Sequence, residues 1–151
     1  MVTSNINFEN AKIIFRNFSG AEGPYNRAGD RNFCVVIEDT DLAAKLANDG
    51  WAVKYFKHDD GDIPQAYLPV KVSFKNIPPK VVMVTRTSKK ELTERDIDML
   101  DWAELERVDL IVRPYNWEMN GRTGVKAYLK TGYFTIVEDE FASRYDNIPE
   151  E

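Results

Sequence analysis

Apolar and polar positions alternate along most of this chain, so strands dominate the expected secondary structure. Ala11–Phe18 (AKIIFRNF) predicts a strand, and Ser19–Asn32, with three glycines and Pro24, has the composition of a loop. Phe33-Cys34-Val35-Val36-Ile37 is a short continuous apolar run and predicts a buried strand. Asp39 or Thr40 can cap a short helix carrying Leu42, Ala43, Leu46 and Ala47 on its apolar side, stopped by Gly50. Trp51–Lys57 predicts a strand running into the acidic loop His58–Asp62. Tyr67–Phe74 and Lys80–Thr87 predict two more, separated by Asn76-Ile77-Pro78-Pro79. Ser88 and Glu91 have the spacing of a capping box, with Ile97, Leu100 and Leu105 suggesting one or two helical turns beyond it. Two long strands, Val108–Met119 and Gly124–Ile136, flank Asn120-Gly121.

Roughly five to seven strands with one or two short helices predict a mainly β fold, a small barrel or sandwich decorated by helices. The OB-fold, a five-stranded Greek-key barrel, is the expected architecture. An open α+β sheet is the alternative, because local pattern does not encode strand order. No internal repeat and no Gly/Ser- or Pro-rich linker divides the chain before its last residues. The expected organisation is one domain over 1–137 followed by an acidic tail over 138–151.

The last two strands carry the candidate chemistry. Asn-Gly between alternating runs is the strongest short-range hairpin signal, because both central residues of a type I′ turn need positive φ. With Asn120 and Gly121 as the turn, Met119 faces Arg122, Trp117 faces Gly124, Tyr115 faces Lys126, Arg113 faces Tyr128 and Ile111 faces Lys130. One side of the hairpin then displays Arg113, Tyr115, Trp117, Arg122, Lys126, Tyr128 and Lys130. The other displays Leu110, Val112, Pro114, Val125, Ala127 and Leu129. The second side is a core face; the first mixes aromatic rings with cations, and Gly124 leaves space beside the Trp117 indole.

That mixture suits single-stranded nucleic acid. Unpaired bases stack on aromatic rings at roughly 1–3 kcal/mol per base, while Lys and Arg follow the phosphates. The same rings could instead pack beneath a helix, with the cations at its edge. Phe15 and Arg16 repeat the mixture on an early strand, and Arg27 and Arg31 lie with Tyr25 in the glycine-containing loop, a segment expected to be mobile enough to close on a ligand. Lys54-Tyr55-Phe56-Lys57 and Lys71, Phe74 and Lys75 carry a weaker version.

The net charge of −5 argues against nucleic acid until it is located. Residues 138–151 hold six acidic residues and one basic residue, so the remaining 137 are neutral overall. Such a segment is either a solvated end or an interaction tail, and Phe141, Tyr145 and Ile148 keep the second reading open beside the first. No apolar run approaches the ~20 residues of a membrane span, so no membrane partner is expected. The start of the chain lacks the basic and apolar segments of a signal peptide. A single cysteine, Cys34, excludes an internal disulfide and points to a reducing compartment.

Catalytic and metal chemistry find little support. Cys34 sits within an apolar run, as a buried structural thiol would. His58, the one histidine, has Asp59, Asp60 and Asp62 beside it, but no Glu completes a calcium loop, and a solvated loop is expected. Gly20-x-x-Gly23 and Gly121-x-x-Gly124 lack the helix and lysine of a phosphate loop. The expectation is a protein that is not an enzyme and needs no cofactor or metal.

Five segments, Ala11-Lys12-Ile13-Ile14-Phe15-Arg16-Asn17-Phe18-Ser19-Gly20, Gly29-Asp30-Arg31-Asn32-Phe33, Asp49-Gly50-Trp51, Pro79-Lys80-Val81 and Arg113-Pro114-Tyr115-Asn116-Trp117, resemble the single-stranded DNA-binding proteins encoded by tailed bacteriophages. The resemblance runs over nearly the whole chain. It implies an OB-fold that binds ssDNA without much sequence preference in phage replication or recombination, in the cytoplasm of a host bacterium. It also implies an acidic C-terminal tail that recruits replication or recombination proteins and can compete for the DNA groove. Here the tail's aromatics stand back from its end, Ile148-Pro149-Glu150-Glu151, a departure from the family's usual aromatic or apolar last residue. On this reading Tyr115, Trp117 and Tyr128 stack bases, and Arg113, Arg122, Lys126 and Lys130 contact phosphates. Phe15, Arg16, Arg27 and Arg31 are second-rank candidates. The rival from another class is a protein-interaction module, an inhibitor or assembly factor using the same hairpin face as a hot spot. Oligomeric state stays open.

Overall fold

The hairpin of the last two strands is the spine of the fold, and the other strands assemble on both its edges. The computed structural model describes residues 2–57, 61, 64–75 and 77–137. In chain order these form β1 (Ile6–Phe8), β2 (Ile13–Asn17), β3 (Arg31–Ile37), α1 (Thr40–Asn48), β4 (Lys54–Tyr55), β5 (Ala66–Val72), β6 (Lys80–Val84), β7 (Lys89–Leu92), a 3-10 helix (Ile97–Asp101), β8 (Leu105–Met119) and β9 (Arg122–Ile136). All nine strands belong to one sheet, whose main path runs β1-β8-β9-β5-β3-β2. The fold is mainly β, as expected. β9 pairs antiparallel with β8 and parallel with two partners in turn, β5 near Ala127–Tyr128 and β6 over Thr131–Thr135.

The expected barrel is not closed by a ladder among the described residues: β1 pairs with β8 and β2 with β3, at opposite ends of the path. The four residues between β1 and β2 carry the chain across that gap. Along them the amide of Asn10 donates to the Asp109 carboxylate and that of Ala11 to the Val108 carbonyl. The seam is a crossing of the chain, not a pairing of strands.

Alternation sorts the strands as the pleat requires. On β3, Phe33, Val35 and Ile37 are buried; on β5, so are Ala66, Leu68, Val70 and Val72. They pack with Val108, Leu110 and Val112 of β8, with Val125, Ala127, Leu129 and Phe134 of β9, and with Ile97 and Leu100. Phe18 lies 5.3 Å from Phe33 and 5.6 Å from Phe134, centroid to centroid, joining the β2–β3 end of the core to β9. The helix α1 forms where Asp39 caps it, its carboxylate accepting from the amides of Asp41 and Leu42, and it buries Ala43 and Leu46. Gly50, at φ 103°, turns the chain out of the helix as expected.

Several elements differ from the sequence reading. Cys34 is not in the core: inward-facing Phe33 and Val35 put it on the outer side of β3, half-buried, between Ile14 and Pro69 of the adjoining strands. Burial raises its thiol pKa to about 11 against the opposing pull of the Lys54 charge. Ser88 and Glu91 do not cap a helix. Ser88 closes a turn with Thr85, and Lys89–Leu92 pairs back on β6, where Leu92 meets Val81. Burying that pair outweighs a local cap. The single helical turn is 3-10, follows Thr93–Asp96, and excludes Leu105, which opens β8. Trp51–Lys57 contributes only Lys54–Tyr55 as strand, because Trp51 is buried and bridges to Val125. The loop 19–30 is braced: the side-chain amide of Asn26 donates to the carbonyls of Ala21, Arg27 and Asp30, and the Gly29 amide to that of Gly20. The acidic loop at His58–Asp62, apart from Gly61, and the tail 138–151 lie outside the described residues.

Candidate nucleic-acid interface

The turn at Asn120-Gly121 has φ values of 52° and 78°, the positive pair that a type I′ turn requires. From it Met119 pairs with Arg122, Trp117 with Gly124, Tyr115 with Lys126 and Arg113 with Tyr128, the expected register. The register steps between Val112, paired with Leu129, and Ile111, paired with Thr131. Lys130 is thus an extra residue in a β-bulge and does not pair with Ile111. Below the bulge the buried side of β9 changes from Val125, Ala127 and Leu129 to Gly132 and Phe134. The parity change among apolar residues is visible in the sequence and was the available sign of the bulge.

On the outer face Arg113, Tyr128 and Tyr115 form one connected group. Tyr115 and Tyr128 meet edge to face at 5.5 Å, and the guanidinium carbon of Arg113 lies 4.7 Å from the Tyr128 ring centre. The Arg113 Nε is buried without a hydrogen-bond partner, so its carrier is held by the ring contact rather than by an ion pair. Tyr115 is about half exposed, Trp117 and Tyr128 are half-buried, and Arg122, Lys126 and Lys130 are exposed. The Trp117 indole lies against the backbone at Gly124: a Cβ there would stand 2.6 Å from Cζ2. The glycine makes room for the indole by contact, a closer arrangement than the open space expected.

The second-rank candidates scatter. Phe15 lies on this outer face but at β2, against Phe56 and Tyr67. Arg16 turns to the 3-10 helix, its Nη1 donating to the carbonyls of Leu100 (2.9 Å) and Ala103 (2.7 Å). Arg27 is exposed on the braced loop. Arg31 is paired with Glu94 at 3.3 Å and stacks near Phe74. Lys71, named from the sequence only among the weaker segments, and Asn32, not singled out there, join this face. Lys71 of β5 pairs beside Tyr128, and Asn32 continues the row on β3. Only the sheet order brings Lys71 there, and no local pattern carries that order. Among the described residues no cluster of His, Cys, Asp or Glu is arranged to hold a metal, and no helix is long and apolar enough to cross a membrane.

Two solved structures with a similar fold come from bacteriophage Enc34. The chain is similar to the single-stranded DNA-binding protein from bacteriophage Enc34 in complex with ssDNA, at 15% identity and a TM-score of 0.57 over 91% of this chain and 89% of that one. It is similar as well to the C-terminal truncation of that protein, at 14% identity and 0.56 over 89% and 87%. At these identities the likeness is one of fold. No curated protein matches the chain significantly. The family model described as "Putative phage ssDNA-binding domain" matches residues 1–151, and the chain belongs to that family.

Proposed function

We propose that this protein binds single-stranded DNA through the outer face of the β8–β9 hairpin, with little sequence preference, during phage replication or recombination. Tyr115, Trp117 and Tyr128 offer ring faces to unpaired bases, and Arg113, Arg122, Lys126 and Lys130 draw the phosphates. The observation that carries this reading is the group formed by Arg113, Tyr128 and Tyr115, lying opposite the core with cations around it. Membership of the family supports it, as does the Enc34 relative with ssDNA bound, and neither favours the rival of a protein-interaction module. The binding is non-enzymatic, and its setting is the cytoplasm of the host bacterium. Residues 1–137 are the DNA-binding domain, and 138–151 are an acidic segment for replication or recombination partners. Phe15, Arg27 and Arg31 are secondary contacts; Arg16, whose guanidinium is held by two backbone carbonyls, is set aside as a structural residue.

The test is a titration of fluorescein-labelled oligo-dT into the full chain, read by anisotropy at several salt concentrations. Log affinity should fall linearly with log salt, because each neutralised phosphate releases counterions. Trp117→Ala should weaken binding about tenfold, within the range of one lost stacking contact. Equal binding by wild type and Trp117→Ala, or no binding at low salt, overturns the reading.

A further inference from the structure

The outer face does not end at the hairpin. β5 lies beside β9, with Lys71 paired to Tyr128, and its outward residues Lys71, Pro69 and Tyr67 continue the surface away from the hairpin. At the far end Tyr67 pairs with Val36 of β3 and Lys54 of β4, so Lys54 shares its side. There the Tyr67 ring lies 4.5 Å from Phe56 and 6.1 Å from Phe15, and Phe15 lies 6.0 Å from Phe56. Three rings form a second aromatic group, about 13 Å along β5 from Lys71 at the usual rise per residue.

Phe15 is the telling member. Its φ is 53°, in the left-handed region, and the β2–β3 register breaks between Ile14 and Asn17 around it. A bulky side chain there costs roughly 1–2 kcal/mol. Core packing does not compensate, because Phe15 is 63% exposed. A ring that only stapled β2 to β5 would be better served by ordinary extended backbone and deeper burial. The strained conformation instead takes Phe15 out of strand alternation and sets a largely exposed ring beside Tyr67. Strain of this kind is held by the structure around it and clusters at ligand-binding and active sites.

We infer that Phe15, Phe56 and Tyr67 form a second base-stacking platform, and that a single DNA strand runs from the hairpin across β5 to reach it, with Lys71 and Lys54 following its phosphates. The inference rests on the proposed function and adds the strand's path, its second anchor and hence a longer footprint. Between the anchors the surface is Pro69 and Cys34, side by side and without charge. A strand crosses there with no ion pair until it reaches Lys54.

The experiment uses the full chain and an oligo-dT of about sixteen nucleotides, the upper end of the footprint of one OB-type domain. In an NMR titration of wild type, ring signals of Tyr115 and Tyr128 and those of Phe15 and Tyr67 should both move. Phe15→Asn, chosen because Asn tolerates the left-handed backbone, should weaken binding about tenfold while leaving the melting temperature at or above that of wild type. If Phe15→Asn fails to fold, Tyr67→Leu takes its place in the affinity measurement. Movement confined to the hairpin rings overturns the second platform and leaves the proposed function standing, as does movement of both groups with unchanged affinity in the variant. Movement of neither group overturns the proposed function itself.

Discussion

The Nε1–Cε2–Cζ2 edge of Trp117 fills the space where a side chain at Gly124 would begin, with a Cβ there 2.8, 2.7 and 2.6 Å from those three atoms. The cross-strand pair is therefore a seat, and the glycine is chosen for what stands above it. Gly124 does not need positive φ, so its backbone accepts alanine and the indole is what must move. Gly124→Ala should lower ssDNA affinity about tenfold, as far as loss of one stacked base allows. Its urea midpoint should stay near that of wild type. Wild-type affinity in this variant would remove Trp117 from the list of stacking residues.

Arg113 acts on Tyr128 by more than charge. Its guanidinium sits 4.7 Å from the ring centre, and a lysine cannot reproduce that planar contact. Arg113→Lys should therefore weaken ssDNA binding several-fold while leaving the slope of log affinity against log salt unchanged, because the charge count is kept. Arg113→Ala should weaken binding further and reduce the slope by about one counterion. Equal affinities for Arg113→Lys and wild type would mean that only the charge matters.

Arg16 should matter to stability and not to salt dependence. Its two hydrogen bonds to the Leu100 and Ala103 carbonyls tie β2 to the 3-10 helix, and the Asp101 carboxylate accepts from the Phe18 and Ser19 amides beside it. Hydrogen bonds from a charged group contribute about 1.5–3 kcal/mol each, so Arg16→Ala, which loses two, should cost about 3 kcal/mol or more in urea denaturation. The salt slope of binding should not change. A lower slope with unchanged stability would make Arg16 a phosphate contact instead.

Cys34 can report on the occupied face. Desolvation raises its pKa from 9.0 to about 11, so at pH 8 the folded protein holds almost no thiolate. A raised value means the fold favours the protonated thiol. That contribution is fully present below the unfolded value and is lost as pH rises through about 11. Iodoacetamide at pH 8 should alkylate Cys34 much more slowly in the folded than in the urea-unfolded chain. Saturating long oligo-dT should slow it further, since Cys34 lies between the two aromatic groups. No protection by DNA would count against a strand crossing β5.

Local chemistry made the hairpin legible: Asn120-Gly121 admits few turns, and the turn fixes every pair up to Val112–Leu129. α1 was equally plain, since Asp39 and Gly50 mark its ends. The bulge at Lys130 and the strand at Lys89–Leu92 were not, because both depend on what packs across the core. Val81 must meet Leu92, and Phe134 must reach Phe18, which in turn stacks on Phe33. Lys71 belongs beside Tyr128 only because β5 runs parallel to β9, a non-local fact. Phe15 was noticed for its type, but its left-handed backbone is invisible in a string of letters.

The bulge at Lys130 divides the hairpin into parts with different tolerance for change in length. Below it, inserting one residue would bring Tyr133, and deleting one would bring Thr135, into the place of Phe134 in the core. Above it, beyond the tie of Asn116 to Val2, the arm from Trp117 to Thr123 is fastened mainly by its own ladder, so matched additions on both strands there would extend it without moving a core residue. Evolution, or a designer, can thus lengthen the reach of this arm in two-residue steps while the body of the protein stays as it is.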